Sequence, residues 1–166
     1  MLHPFEDWTG VDAVHLLERY RDTLAGMINA TKLKGTKLKD EKYLFLGAGS
    51  AGIGLADLLC SALVADGMEL KAAQSQVWMF DVNDLLQSTR TDLVDFQMPY
   101  AHEHAPTKDF VAAVESIKPT AIIGVSTIGG TFTQKVIEAM SRINERPVVP
   151  ALSNPTEHAE CTAEQA

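Results

Sequence analysis

A run of four apolar residues, Tyr43-Leu44-Phe45-Leu46, runs straight into Gly47-Ala48-Gly49-Ser50-Ala51-Gly52, and an apolar helical pattern begins at Ser50. Few short stretches restrict a fold as much as this one. The apolar run reads as a buried strand. Gly47 permits a tight turn out of it, Gly49 lets a phosphate approach the backbone without a Cβ in the way, and Gly52 lets the helix pack close to the strand. The first N–H groups of the helix and its partial positive charge point at the same place. The glycine pattern alone is weak. With a strand before it and a helix after it, the stretch Gly47, Ala48, Gly49, Ser50, Ala51 and Gly52 implies a pyrophosphate-binding turn. The competing reading is a glycine turn made for packing, followed by an Asp that only caps a loop.

A second apolar run, Val77-Trp78-Met79-Phe80, ends at Asp81. An acidic residue there can accept the ribose hydroxyls of a dinucleotide. Its distance from the glycine turn exceeds the usual ~20 residues, and the connection 66–76 takes up the excess. A carboxylate repels a 2′-phosphate, so NAD is expected over NADP. Arg90 is the first basic residue after Asp81, and NADP stays possible if a later loop supplies a cation.

The rest of the chain alternates in the same way. A helix is expected over Val11–Leu24, with Val14, Leu17 and Leu24 on one stripe, Leu16 and Tyr20 beside it, and a Thr9/Asp12 capping box. A short helix over 25–30 and a loop over 32–40 follow. Helices are expected at 50–64, at 108–117 with Thr107 as N-cap, and after Thr133. Strands are expected at 121–125 and 148–152. Buried strands alternating with amphipathic helices imply an α/β fold, a doubly wound parallel sheet of Rossmann type, here incomplete. Residues 1–31 are read as an N-terminal helical segment leading into a dinucleotide-binding domain over 32–166.

Among its 166 residues the chain has 14 Lys and Arg against 22 Asp and Glu, a net charge of −8. This opposes a nucleic-acid partner, which needs clustered cations. The cluster Lys32, Lys34, Lys37 and Lys39 reads as a solvated connection. No apolar run approaches the ~20 residues of a membrane span, and no targeting segment is visible, so the cytoplasm or an organelle matrix is expected. Cys60 and Cys161 have no metal or redox spacing and read as buried thiols. His102-Glu103-His104 is short of a zinc ligand set and reads as a solvated loop.

These residues, taken with further stretches, resemble the malic enzyme family. Phe5-Glu6-Asp7, Glu18-Arg19-Tyr20-Arg21, the turn from Phe45 to Gly54, Ala101-His102-Glu103-His104, Lys118-Pro119-Thr120, Asn144-Glu145-Arg146-Pro147 and Ala151-Leu152-Ser153-Asn154-Pro155 are similar to its segments, in its order. The resemblance implies oxidative decarboxylation of malate to pyruvate and CO2. A nicotinamide cofactor accepts the hydride, and Mg2+ or Mn2+ acts as Lewis acid. It further implies Glu6 and Asp7 as metal ligands, Asn154 near the nicotinamide, and Ser126 and Gly129 in the loop beside it. At Gln97 NADP-using relatives often carry Lys, which again favours NAD. Dimers or tetramers are usual in the family.

The chain departs from that pattern in ways that matter chemically. The segment with the third metal carboxylate is missing after Arg21-Asp22-Thr23-Leu24, and the family's proton-transfer lysine and tyrosine have no counterpart. Two adjacent carboxylates do not make the near-octahedral cage that Mg2+ prefers, and Asp22 reads as a solvated helix residue. No catalytic residue is therefore assigned. Three readings stand open: the cofactor domain of a malic enzyme with little turnover alone, a non-catalytic NAD-binding or subunit-interaction protein, and a chain that does not fold stably without its missing parts.

Overall fold

The apolar runs become three parallel strands in a computed structural model, which describes residues 10–126 and 130–152, with side chains from residue 17. The elements are α1 (Gly10–Lys34), β1 (Tyr43–Leu46), α2 (Ser50–Ala65), α3 (Leu70–Ser75), β2 (Val77–Phe80), α4 (Phe110–Ile117), β3 (Ala121–Gly124) and α5 (Gln134–Ile143). Sheet order is β2-β1-β3. Tyr43 stands level with Val77 on one side and with Ala121 on the other, and Leu46 with Phe80 and Gly124.

Strand periodicity divides the core in two. Tyr43 and Phe45 of β1, with Val77 and Met79 of β2, face α1, α2 and α3. Leu44 and Leu46, with Phe80 and Ile122, face α4 and α5. Helices thus cover both faces, as four-residue strands that are apolar throughout require. The chain leaves β1 for one side and returns from β2 to the other. The winding therefore reverses at the C-terminal ends of β1 and β3, where a ligand crevice is expected in such sheets.

Several expected boundaries move. The break expected after residue 30 is absent, and α1 runs on through Lys34. It ends at Gly35, whose φ of +77° suits a glycine. Tyr20, Met27 and Thr31 are its buried stripe, whereas Leu17, expected inward, is 60% exposed. The Lys cluster is not uniformly solvated either, because Lys34 pairs with the buried Glu41 at 2.7 Å. Thr9, Val14 and Leu16, cited for the expected cap and stripe, lie outside the described side chains.

Asp109, not Thr107, caps α4. Its side chain accepts the N–H of Ala112 at 2.8 Å, while the Thr107 hydroxyl donates to the Ala105 carbonyl. The expected strand 148–152 lies beside β3 but forms only bridges from Val148 to Ala121 and from Ala151 to Gly124. Pro150, between the donors Val148 and Leu152, lacks the N–H that a full ladder needs. The short α3 went unread because six residues carry too little periodicity.

Candidate cofactor site

Gly47 leaves β1 with φ at +118°, and its N–H still pairs with the Phe80 carbonyl at 2.7 Å. A Cβ at this position would lie 2.6 Å from the Val125 carbonyl oxygen, so only glycine fits. A Cβ on Gly52 would run into the Gly47 carbonyl itself. The two glycines let the turn fold down against the start of α2 and against the chain leaving β3. Gly49 behaves otherwise. A Cβ there would meet nothing within 4 Å, and the residue is exposed. Packing explains two of the glycines and leaves open space above the third.

Gly49 is the N-cap of α2, and no side chain caps it. The first turn-to-turn bond of the helix runs from the Ile53 N–H to the Gly49 carbonyl at 3.0 Å. The N–H groups of Ser50, Ala51 and Gly52 precede that bond, so they have no acceptor within the helix. A negatively charged group over Gly49 would meet these donors and the positive end of α2. The residues present fit a pyrophosphate in this respect.

Asp81 follows β2 and lies beside the turn, since Phe80 pairs with Gly47. Its Oδ1 accepts the N–H groups of Asn83 at 2.8 Å and Asp84 at 2.9 Å. Its Oδ2 accepts from Arg90 Nη2 at 2.8 Å. A carboxylate offers about four acceptor positions, so one remains on Oδ2 for a ribose hydroxyl. Arg90 is the residue that sequence reading left without a role. It also donates from Nε and Nη2 to both carboxylate oxygens of Asp92, at 2.9 and 2.7 Å, and from Nη1 to the Asp84 carbonyl. The hydrogen bonds that Arg90 donates to Asp92 and Asp81 raise its own pKa further, and the bond that Asp92 accepts holds that carboxyl below the usual carboxylate range.

Gln97 comes to the same place from the far end of this loop. Its Nε2 donates to the Ala48 carbonyl at 2.9 Å, so the loop after β2 is pinned to the glycine turn. Ser126, on the segment that follows β3, has its N–H group 3.0 Å from where a Gly47 Cβ would sit. The structure thus brings together Gly47, Ala48, Gly49, Ser50, Ala51, Gly52, Asp81 and Ser126. Asn154, Gly129 and the metal candidates Glu6 and Asp7 lie outside the described residues. Among the described residues no group of three His, Cys, Asp or Glu is placed to hold a metal ion. Asp22 is exposed on α1, 3.6 Å from Arg21.

The expected solvated loop at His102 and His104 is corrected. Both rings pack on Trp78, with centroids at 4.5 and 5.8 Å. His102 Nε2 is bonded to the Val77 carbonyl at 2.7 Å. They anchor the returning chain to β2. Cys60 is buried, as expected, and Cys161 lies outside the described residues.

Among the described residues no helix is long and apolar enough to cross a membrane. Residues 22–166 match the family model described as "Malic enzyme, NAD binding domain". The whole chain is 44% identical to NADP-dependent malic enzyme 2 of Arabidopsis thaliana and covers 31% of it. It is also 44% identical to the chloroplastic NADP-dependent malic enzyme of Flaveria pringlei, covering 28%. Both alignments run over 183 residues, so the relatives carry positions that this 166-residue chain omits. The malic enzyme of Entamoeba histolytica shares the fold with a TM-score of 0.67 over 89% of this chain and 29% of its own, at 24% identity. With its strand–glycine turn–helix unit and its match to that domain along most of its length, the chain belongs to the malic enzyme family.

Proposed function

We propose that this chain binds NAD through the turn over 47–52, with the pyrophosphate on the opening amides of α2 and the adenosine ribose on Asp81. The observation that carries the reading is the contrast among the glycines. Gly47 and Gly52 are closed in by backbone, whereas Gly49 faces open space at an uncapped helix start. A turn made for packing alone has no use for the third glycine.

NAD is favoured over NADP in this reading. The Asp81 carboxylate lies beside the turn, and Gln97, which is neutral, occupies the approach from the far side. The relatives are named as NADP-dependent enzymes, and this reading would set the chain apart from them at the ribose 2′ position. Ser126, together with Asn154, is assigned to the nicotinamide side.

By this reading the chain is the cofactor unit for oxidative decarboxylation of malate. The cofactor supplies the hydride acceptor, and a divalent metal supplies Lewis acidity to the malate oxygen. Glu6 and Asp7 are assigned as two ligands of that metal, and residues 1–31 as the segment that carries them to the domain over 32–166. The chain's own residues bind and orient the dinucleotide. In this reading no described side chain is assigned to the malate hydroxyl proton, and the chain spans under a third of the first relatives' length. Little turnover is expected from it alone. A soluble compartment and assembly with further copies are part of the same proposal.

Calorimetry of the 166-residue chain with NAD+ and NADP+ tests this directly. Heat of binding with NAD+, and a melting midpoint that rises with NAD+ concentration by mass action, are expected. Absence of heat with either dinucleotide, on material with a cooperative melt, rejects the assignment. A malate, Mn2+ and NAD+ assay should show little NADH from the chain by itself.

A further inference from the structure

We infer that Asp92 is a specificity-determining residue that keeps Arg90 from receiving a 2′-phosphate, and so sets the choice between NAD and NADP. The inference rests on the cofactor reading above and extends it to a residue outside the turn. Sheets of this kind commonly handle a 2′-phosphate with an Arg close to the ribose-binding acid. Arg90 has that position, because its Nη2 lies 2.8 Å from Asp81 Oδ2. An arginine grips a phosphate by two parallel N–H groups. The pair formed by Nε and Nη2 is the one that Asp92 holds, at 2.9 and 2.7 Å. Asp92 therefore stands on Arg90 as a phosphate would.

Exposure shows which partner gives way. The Arg90 side chain is 8% exposed and Asp81 15%, whereas Asp92 is 57% exposed. Arg90 and Asp81 form the fixed part of the arrangement. Asp92 is a surface carboxylate held by the guanidinium, and exposed pairs of this kind contribute little to stability. Removing it leaves the fold and Asp81 in place. It also removes one negative charge from the path of a dianionic phosphate and frees the two-pronged edge of Arg90. The separation of nine positions between Asp81 and Arg90 hides this relation in the sequence, and the step from Arg90 to Asp92 looks like ordinary loop polarity.

The test is calorimetry on the full chain with NAD+ and NADP+ as titrants. Wild type is compared with Asp92→Asn, Asp92→Ala and Asp92→Asn combined with Arg90→Gln. The ratio of NADP+ to NAD+ affinity should rise about tenfold in both single variants, the size of one freed charge-assisted contact. The gain should shrink as salt is raised and vanish in the double variant. A ratio unchanged in folded single variants that still bind NAD+ overturns the inference while leaving the cofactor reading intact. A gain that survives loss of Arg90 also overturns it, since the effect is then general charge. Failure of every form to bind either dinucleotide removes the cofactor reading and this inference together.

Discussion

The carbonyl oxygen of Gly47 occupies the space that a β-carbon on Gly52 would need. This contact joins the end of β1 to the first turn of α2 and fixes how closely the helix sits on the sheet. Gly52→Ala gains about 1 kcal/mol of helix propensity but forces two backbone segments apart, so a net loss of about 1–3 kcal/mol is expected. Gly49→Ala is its counterpart. The φ of Gly49 is −80°, which any residue adopts, and a methyl there meets no protein atom within 4 Å. Its melting midpoint should match or slightly exceed wild type, while NAD+ affinity falls about tenfold because the methyl stands where phosphate approaches. Thermal melts and calorimetry on the two variants check both halves. Equal loss of stability in both would show that Gly49 serves packing after all.

The buried Glu41 makes the fold sensitive to acid. Its carboxylate is 2% exposed and accepts from Lys34 Nζ at 2.7 Å and from Thr36 Oγ1 at 2.5 Å. Burial pushes its pKa up, but the hydrogen bonds, led by that from Lys34, outweigh burial and hold it below the ordinary value. A group with a depressed folded pKa stabilises the fold fully above its unfolded value, about 4.3. It loses that contribution as pH falls through the folded value. Glu41→Gln is expected to lose about 2 kcal/mol at pH 7, the scale of a hydrogen bond to a charged group. The gap between wild type and variant should narrow below about pH 4.3. Urea midpoints measured across pH 3–7 test this, and a constant gap would refute it.

What the sequence reveals and what it hides follow from range. β1 and β2 were legible to the residue because four-residue runs such as Tyr43–Leu46 and Val77–Phe80 are apolar throughout and end at Gly or Asp. The turn was legible because strand, glycines and helix adjoin. The single helix α1 was not, since Gly26 and the polar stretch after it weaken a pattern that Tyr20, Met27 and Thr31 sustain only by packing. The α4 cap is not legible locally, since Thr107, expected from the sequence, and Asp109, found in the structure, are both residue types that cap well. The choice was made by Asp84, whose Oδ1 takes the Thr107 N–H at 2.7 Å. The hold of Arg90 on Asp81, the bond from Gln97 to Ala48, and the packing of His102 on Trp78 each depend on chain reversals that no local pattern encodes.

Cys60 should be inert in the folded chain. Burial pushes its thiol up to about 11, with the hydrogen bond from Tyr100 acting in the other direction. At pH 8 roughly one molecule in a thousand then carries the reactive thiolate, and the sulfur is shielded besides. Iodoacetamide at pH 8 followed by peptide mapping should leave Cys60 unmodified without denaturant and fully modified in urea. Rapid labelling of the folded chain would mean that α2 opens readily from the sheet.

Asp81 carries a graded prediction, because its two oxygens do different things. Oδ1 holds the turn through the N–H groups of Asn83 and Asp84, and Oδ2 faces Arg90. Asp81→Asn can keep the first role with its carbonyl oxygen. It replaces the second with an NH2 group that opposes Arg90 and has no acceptor to offer a ribose hydroxyl. Loss of a hydrogen bond to a charged acceptor is worth about 1.5–3 kcal/mol, or at least tenfold in NAD+ affinity. NADP+ affinity should fall less, because the repelling carboxylate has gone and the Arg90 charge is less neutralised. Asp81→Ala removes both roles, and should lower the melting midpoint further than Asp81→Asn does by freeing the turn over 81–84. Calorimetry with both dinucleotides, read beside the melts, separates binding from folding. If Asp81→Asn binds NAD+ as tightly as wild type, the carboxylate belongs to the loop alone, and the ribose must be held by another group.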